Sequence, residues 1–190
     1  MTEESDEAER RLVTAAQTGD RAAFEQLVRR HKDSLYRFVR RYVGDADDAY
    51  DILQDCFVAV WLTLRTFDTQ QAFSPWLRTI ALNKCRDQAR RRAVRRRFLT
   101  LFAHEEAAAD PALDCERFAT LRLRRLDECI AALPRAYKEP LLLTMVSSLT
   151  QEQAARQLKI TAKAVEMRIR RAKERLREAL SDLTDPDSSP

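Results

Sequence analysis

The chain has only two glycines and two histidines among its 190 residues. The phosphate-binding loops of nucleotide-dependent enzymes need several glycines, because their backbone must approach the phosphates closely, so this class of site is excluded. The two histidines, His31 and His104, are too scattered to form a histidine-rich metal site. The abundance of Ala, Leu, Arg and Glu instead favours an all-α fold.

The sequence also lacks long apolar runs. No run approaches the roughly 20 residues needed to span a bilayer, and the acidic N-terminal segment is unlike a signal peptide because no apolar stretch follows it. We therefore expect a soluble, cytoplasmic protein without membrane insertion. The four cysteines show no C-x-x-C spacing, so we expect reduced thiols packed as small apolar side chains. A zinc site using His104 and Cys115 is the weaker alternative, and neither a cofactor nor a catalytic constellation is predicted.

The net charge is only +4, but the charges are strongly segregated along the chain. Residues 45–55 contain five aspartates and no basic residue, whereas residues 84–97 contain eight basic residues and one acidic residue. Residues 163–177 contain seven basic residues and two glutamates. This segregation predicts different partners for different surfaces, and the basic segments suit a polyanion such as nucleic acid.

Apolar periodicity and turn residues predict an all-α protein with two small helical domains joined by a flexible linker. The linker is expected where periodicity is weak and an Ala-Ala-Ala-Asp-Pro stretch occurs. The predicted boundaries are an acidic tail over 1–19, a helical domain over 20–97, a linker over 98–120, a helix-turn-helix domain over 121–183 and a disordered tail over 184–190.

An acidic helix is predicted from about residue 47 to residue 64. Asp48, Asp51 and Asp55 are spaced three and four apart, which places their carboxylates on one face of this helix. Such a face is commonly only solvated, but together with Gln54 it is more typical of a docking surface. The predicted buried stripe consists of Leu53, Phe57, Val60, Trp61 and Leu64.

Residues 150–180 show the pattern of a helix-turn-helix. Thr150 begins a short helix with two small alanines, a tight turn follows, and Thr161 caps a final long helix. An arginine-rich helix after a tight turn fits the major groove, where Arg reads guanine edges and Lys or Arg neutralises phosphate. A charged, solvent-facing helix of a bundle is the open alternative. The outward positions of the final helix are Lys163, Glu166, Met167, Arg168, Arg170, Arg171 and Arg175.

Two motifs follow each other in the first domain. The first, Asp48-Ala-Tyr-Asp-Ile-Leu-Gln-Asp-Cys-Phe-Val-Ala-Val-Trp61, fits the pattern D-A-x-D-L/I-V/L-Q-E/D-x-F-x-x-x-W. The second, Phe73-Ser-Pro-Trp-Leu-Arg-Thr-Ile-Ala-Leu-Asn83, fits F/T-x-x-W-L-x-x-I-A-x-N. With Leu133-Pro134 and the helix-turn-helix over 148–172, they resemble the extracytoplasmic-function sigma factors of bacteria. The resemblance covers about residues 20–97 and 120–180.

This resemblance implies a promoter-specificity subunit that carries out no covalent chemistry itself. The acidic helix would dock on the clamp helices of the β′ subunit of core RNA polymerase, with the β subunit as a further contact. Promoter DNA and an inhibitory anti-sigma factor would be the other partners. The residues implied are Asp48, Asp51, Gln54 and Asp55 for core polymerase, Arg78, Asn83, Lys84, Arg86 and Arg90 for the −10 element, and Lys163, Glu166, Met167, Arg168, Arg170 and Arg171 for the −35 element.

The chain departs from the family pattern in its C-terminal module. Lys159 stands in the turn where the family often has glycine, and a non-glycine residue in a left-handed conformation costs about 1 kcal/mol. Glu166 stands where a lysine is common, so the resemblance does not define the −35 sequence that is read. A stand-alone helix-turn-helix regulator is the alternative function; it would bind duplex DNA without polymerase and leaves the acidic helix unexplained.

We predict that promoter binding weakens steeply as the salt concentration rises. Each contact of Lys or Arg with a phosphate releases a condensed counterion from the DNA, so the logarithm of affinity falls linearly with the logarithm of salt concentration. Titrating promoter DNA at several salt concentrations measures this slope. A flat response would contradict the assignment of the basic segments to DNA.

Overall fold

The computed structural model describes residues 3–99, 115–147 and 149–181, and these residues form helices with no β-strand. A short 3-10 turn over Leu64–Thr66 follows the third helix. The α-helices are α1 (Glu3–Gln17), α2 (Arg21–Val43), α3 (Ala46–Thr63), α4 (Phe73–Leu99), α5 (Cys115–Ala132), α6 (Arg135–Met145), α7 (Gln151–Leu158) and α8 (Ala162–Ser181). The predicted all-α fold is confirmed.

Capping residues define the helices of the N-terminal unit, α1–α4. The Asp20 side chain accepts hydrogen bonds from the backbone N–H groups of Ala22 and Ala23, at 2.8 and 3.1 Å, and so begins α2 as predicted. This helix ends at Gly44, whose φ of 82° is the left-handed conformation that glycine adopts without strain. Asp45 then caps α3 through the backbone N–H of Asp48. Two consecutive residues therefore end one helix and begin the next.

The segment predicted as an acidic tail over 1–19 instead forms α1 over residues 3–17. Val13 and Ala16 of α1 are buried against the rest of the unit. The Gln17 side-chain amide donates to the carbonyl oxygens of Leu64 and Phe67, at 2.9 and 2.7 Å. The sequence analysis missed this helix because few apolar residues, Leu12, Val13 and Ala16 among them, pack inward, and because Glu9 also faces inward, where its Oε1 lies 2.9 Å from the His31 Nε2.

The buried face of α3 also differs from the predicted stripe. Leu53 and Phe57 are only half-buried and Trp61 is 37% exposed, whereas Val60 and Leu64 are buried as predicted. The buried residues of α3 are Ala49, Ile52, Cys56 and Val60. Ala49 and Cys56 alternate with Ile52 and Val60 on this face, and the larger aromatic side chains, Phe57 and Trp61, lie at its edges.

The C-terminal unit consists of α5–α8 and contains the predicted helix-turn-helix. Thr150 and Gln153 form a capping box at the start of α7, and Thr161 accepts from the backbone N–H of Ala164 at the start of α8. Lys159 between them has a φ of 56°, the left-handed conformation expected from its place in the turn. Val165, Ile169 and Ala172 are buried as predicted.

Helix also replaces both ends of the predicted linker over 98–120, since α4 runs to Leu99 and α5 begins at Cys115. The remaining linker, His104 of the alternative zinc site and the predicted tail over 184–190 lie outside the described residues. Within the described part of the chain, no group of metal-ligating side chains is present and no helix is long and apolar enough to cross a membrane. Cys56 and Cys85 are buried free thiols, and burial raises the pKa of Cys56 to about 12.

The two units pack directly on each other, because α2 contacts both α5 and α6. Gly44 lies at this interface, where a Cβ atom on it would be 2.8 Å from the Cβ of Ala131 in α5. Arg41 of α2 also pairs with Asp127 of α5, with Nε 3.1 Å from Oδ1. The absence of a side chain at Gly44 therefore allows close approach of the units as well as a left-handed backbone.

We predict that Gly44→Ala destabilises the chain more than Gly19→Ala. Both glycines have positive φ, at 82° and 98°, but a Cβ on Gly19 would meet nothing within 4 Å. Gly19→Ala should cost about 1 kcal/mol from backbone strain alone, whereas Gly44→Ala adds about 1–3 kcal/mol of overpacking. Chemical unfolding of both variants measures the difference, and equal losses would contradict close packing at Gly44.

Candidate functional site

One side of α3 presents carboxylates together with apolar side chains. Asp51, Gln54 and Asp55 are exposed, as the sequence predicted. Tyr50 and Val58 on the same helix are 54% and 58% exposed. We call the exposed residues Tyr50, Asp51, Gln54, Asp55, Val58 and Leu62 the α3 face. Large apolar side chains left in solvent beside charges are typical of a protein-binding surface.

Asp48 does not belong to the α3 face. Its side chain is largely buried against α4, where it pairs with Arg92 and accepts a hydrogen bond from the Gln88 amide at 3.2 Å. Asp55, by contrast, is well exposed, and its Oδ2 lies 3.9 Å from the Lys84 Nζ. The acidic residues grouped by the sequence therefore divide into one that joins two helices and others that face solvent.

Arg78 is buried, contrary to the expectation of a side chain that faces DNA. It is 4% exposed, and its guanidinium donates to the carbonyl and hydroxyl oxygens of Ser34 in α2, at 3.1 and 2.9 Å. Burial, with a smaller contribution from the charge of Arg37, lowers the pKa of Arg78 to about 10. The contacts of Arg78 therefore join α4 to α2.

The other predicted −10 residues lie on the outer part of α4. Asn83 is exposed and Lys84 is half-buried, while Arg90 is exposed and pairs with Asp87 one turn earlier. Arg86 instead reaches the second unit, where its Nε and Nη2 donate to Glu139. Only part of the predicted set is therefore accessible in this arrangement of the units.

A polar cavity lies between α1 and the loop over 67–72. Phe67 and Phe73 form its apolar wall and are themselves buried. Its polar lining consists of Asp6, Glu9, Arg10, Thr69 and Gln71. The cavity thus combines aromatic surface with hydrogen-bonding and charged groups in a volume of about 50 Å³.

The outward face of α8 carries the predicted −35 residues. Lys163 pairs with Glu166 at 2.8 Å and Arg170 with Glu174 at 3.7 Å, both on the exposed surface. Arg171 is exposed, and Met167 and Arg168 are half-buried. Exposed pairs along one helix contribute little to stability, so these cations remain available to another anion.

Sequence reasoning missed a buried carboxylate between the two units. Glu139 of α6 is 4% exposed and accepts hydrogen bonds from Tyr42 of α2, Arg86 of α4 and Arg135 of its own helix. We call these four residues the Glu139 cluster. Its only signal in the sequence is a charged pair, Lys138-Glu139, next to the apolar run Leu141-Leu142-Leu143.

The donors and positive charges of the Glu139 cluster stabilise the ionised form of the Glu139 carboxylate. Arg86 donates to both oxygens of the Glu139 carboxylate, at 2.8 Å from Nε to Oε1 and 2.6 Å from Nη2 to Oε2. Burial alone would raise the pKa of Glu139, but the hydrogen bond and charge of Arg86 and the charge of Arg135 outweigh it and lower the pKa. Burial and the Glu139 charge raise the pKa of Tyr42, which keeps its hydroxyl protonated as a donor.

Two family models match the chain. The model described as Sigma-70 region 2 matches residues 27–95, and the model described as Sigma-70, region 4 matches residues 123–176. The first range contains the α3 face and most of α4. The second contains the helix-turn-helix and the Glu139 side of the interface.

Curated relatives and solved structures extend this similarity over nearly the whole chain. The RNA polymerase sigma factor NccH of Alcaligenes xylosoxydans is 38% identical over 93% of this chain and 95% of its own length. The sigma factor CnrH of Cupriavidus metallidurans is 36% identical over 96% of this chain and 97% of its own length. A structure of CnrH with the cytosolic domain of CnrY has a TM-score of 0.68 at 34% identity, covering 95% of this chain and 99% of that one. A structure of RpoE with the anti-sigma factor NepR, from Bartonella quintana, has a TM-score of 0.69 at 25% identity. It covers 83% of this chain and 96% of the RpoE chain.

We predict that Arg78→Ala destabilises the fold by about 2 kcal/mol or more, because it removes a buried side chain and its two hydrogen bonds to Ser34. Arg91→Ala on the exposed part of the same helix is the matched control and should change stability by less than about 0.5 kcal/mol. Thermal and chemical unfolding of both variants checks the difference. Unchanged stability in Arg78→Ala would contradict the structural role.

Proposed function

Since the chain belongs to the sigma-70 family of RNA polymerase sigma factors, we propose that it directs core polymerase to promoters by reading a −10 and a −35 element with its two helical units. The observation that carries the proposal is the combination of the α3 face with two separate arginine-rich helices. A subunit that joins an enzyme to DNA needs both kinds of surface, whereas a protein that only binds DNA does not need the first.

The α3 face is the proposed contact with core polymerase. Its exposed apolar residues, Tyr50, Val58 and Leu62, supply contact area, and Asp51 and Asp55 supply negative charge. This combination fits a basic, partly apolar partner such as the β′ clamp helices, since complementary charge speeds and orients association. Asp48 is left out of the contact surface because it is bound to Arg92 within the chain.

The −10 element is proposed to bind along α4 and the cavity between α1 and the loop over 67–72. Asn83, Lys84, Arg86 and Arg90 follow the DNA strand. A base turned out of the duplex would enter the cavity, where Asp6 and Gln71 offer acceptors to an exocyclic amino group. Arg78 supports this surface from inside by fixing α4 on α2.

The −35 element is proposed to lie against the outward face of α8. Arg170 and Arg171 are exposed there, and Lys163 with Glu166 lies at the N-terminal end that enters the groove first. Arg168 and Met167, which are half-buried, lie on the same helix. Glu166 offers an acceptor to a cytosine amino group, which a lysine at this position would not.

A protein inhibitor is the third proposed partner, because solved structures similar to this chain hold a sigma factor with CnrY and with the anti-sigma factor NepR. An inhibitor of this kind would act by covering the α3 face or the DNA-reading surfaces. We place the protein in the cytoplasm, at the nucleoid when it is part of the holoenzyme.

We predict that Asp51→Asn/Asp55→Asn weakens association with core polymerase about tenfold, the equivalent of about 0.7 kcal/mol per charge. The fold should be unaffected, because both side chains are exposed. Equilibrium binding of labelled chain to core polymerase measures the effect. Asp33→Asn/Asp68→Asn removes the same charge from exposed positions outside α3 and should bind normally.

Unchanged binding by the α3 variant would remove the α3 face from the proposal. Transcription from a cognate promoter by core polymerase plus the wild-type chain tests the function itself. A stand-alone regulator would instead bind duplex DNA specifically without polymerase and would not start transcription.

A further inference from the structure

We propose that the chain inhibits itself: Glu139 of the second unit binds Arg86 of the first in place of a promoter phosphate, and so closes the two units without any partner protein. This inference rests on the proposed function only in assigning Arg86 to the −10 element. The closure itself follows from contacts within the chain.

The contact between Arg86 and Glu139 excludes DNA from the same guanidinium. A carboxylate and a phosphate both present a pair of oxygens to the arginine fork, so each can bind it in the two-pronged manner seen here. Arg86 uses Nε and Nη2 for Glu139, and its Nη1 lies 3.4 Å from the Asn83 side-chain oxygen. Phosphate can therefore bind this face of Arg86 only after Glu139 has left.

Other groups around Glu139 strengthen closure rather than oppose it. Tyr42 donates its hydroxyl to Glu139 across the interface at 3.0 Å. Lys138 donates in the opposite direction, to the Tyr42 carbonyl oxygen at 3.1 Å, and its ammonium lies 4.9 Å from the centre of the Tyr42 ring. Arg41 and Asp127 add a second ion pair between the units.

Closure also affects the helix that is proposed to read the −35 element. Arg168 of α8 lines the same cavity as Arg86, Arg135 and Glu139 between the units. Arg168 thus lies at the edge of the space between the units when Arg86 is bound to Glu139. Residues of both proposed DNA-reading surfaces are therefore engaged in, or lie beside, a single contact.

The experiment compares the full chain with Glu139→Gln, which keeps the shape of the side chain and removes its charge. Small-angle scattering of the free protein measures closure as the radius of gyration, without polymerase or DNA. We expect Glu139→Gln to be larger than the wild type. We also expect it to reach half-maximal transcription at about tenfold lower concentration, since a tenfold shift is at the low end of what a charged hydrogen bond contributes.

Glu128→Gln is the matched control, because Glu128 is exposed on α5 and pairs with Arg125 of the same helix. It should match the wild type in both measurements. Arg86→Gln tests the contact from the other side by scattering alone and carries the test if Glu139→Gln does not fold. The double variant should be no more open than the single variants, because both remove the same interaction.

Wild-type compactness in folded Glu139→Gln and Arg86→Gln would overturn the proposal. Opening with no gain in transcription would overturn its inhibitory part. If the wild type and all variants fail to start transcription with core polymerase, the proposed function fails, while the scattering still tests the closure.

Discussion

The arrangement of the two units depends on one buried carboxylate, which accepts hydrogen bonds from side chains of three helices. Glu139 is bound by Tyr42 of α2, Arg86 of α4 and Arg135 of α6, so its hydrogen bonds fix the relative position of both units. Burying an ion pair costs solvation energy that its attraction does not always recover, so such a pair is a weak argument for stability. Its geometry is specific, however, because two of its donors, Tyr42 and Arg86, belong to the first unit and must both reach the same carboxylate of α6.

The surroundings of the charged side chains decide which of them can serve a partner. Arg78 is bound inside the first unit, and releasing it would break two hydrogen bonds to Ser34 that join α4 to α2. Lys163 pairs with Glu166 and Arg170 with Glu174 on the exposed surface of α8, where such pairs contribute little to stability and are readily exchanged for phosphate. Arg86 lies between these cases, because its partner is buried but belongs to a unit that can move away.

Local signals made much of the fold predictable, and long-range contacts made the rest unpredictable. Caps at Asp20, Thr150 and Thr161 are short-range chemistry, and they correctly placed α2, α7 and α8. The acidic helix was also predicted, but the centre of its buried face was not, because Cys56 and other small residues form it. The Glu139 cluster joins residues 53 and 97 positions apart, and no periodicity encodes such a contact. The sequence therefore predicts α4 and α8 as DNA-reading helices, but it does not show that Arg86 of α4 is bound to Glu139.

The contacts between the two units include ion pairs as well as close apolar packing, and the ion pairs are the part that an anion can displace. Interfaces between domains of one chain are commonly polar, and their relative motion is the default. The apolar part of the interface, such as Gly44 on Ala131, resists opening by the area it buries, whatever the partner. The contact between Arg86 and Glu139 instead yields to a competitor that resembles the carboxylate, and promoter DNA presents a row of such anions. Opening is then coupled to the ligand that the open form binds, because the freed guanidinium has a new partner at once.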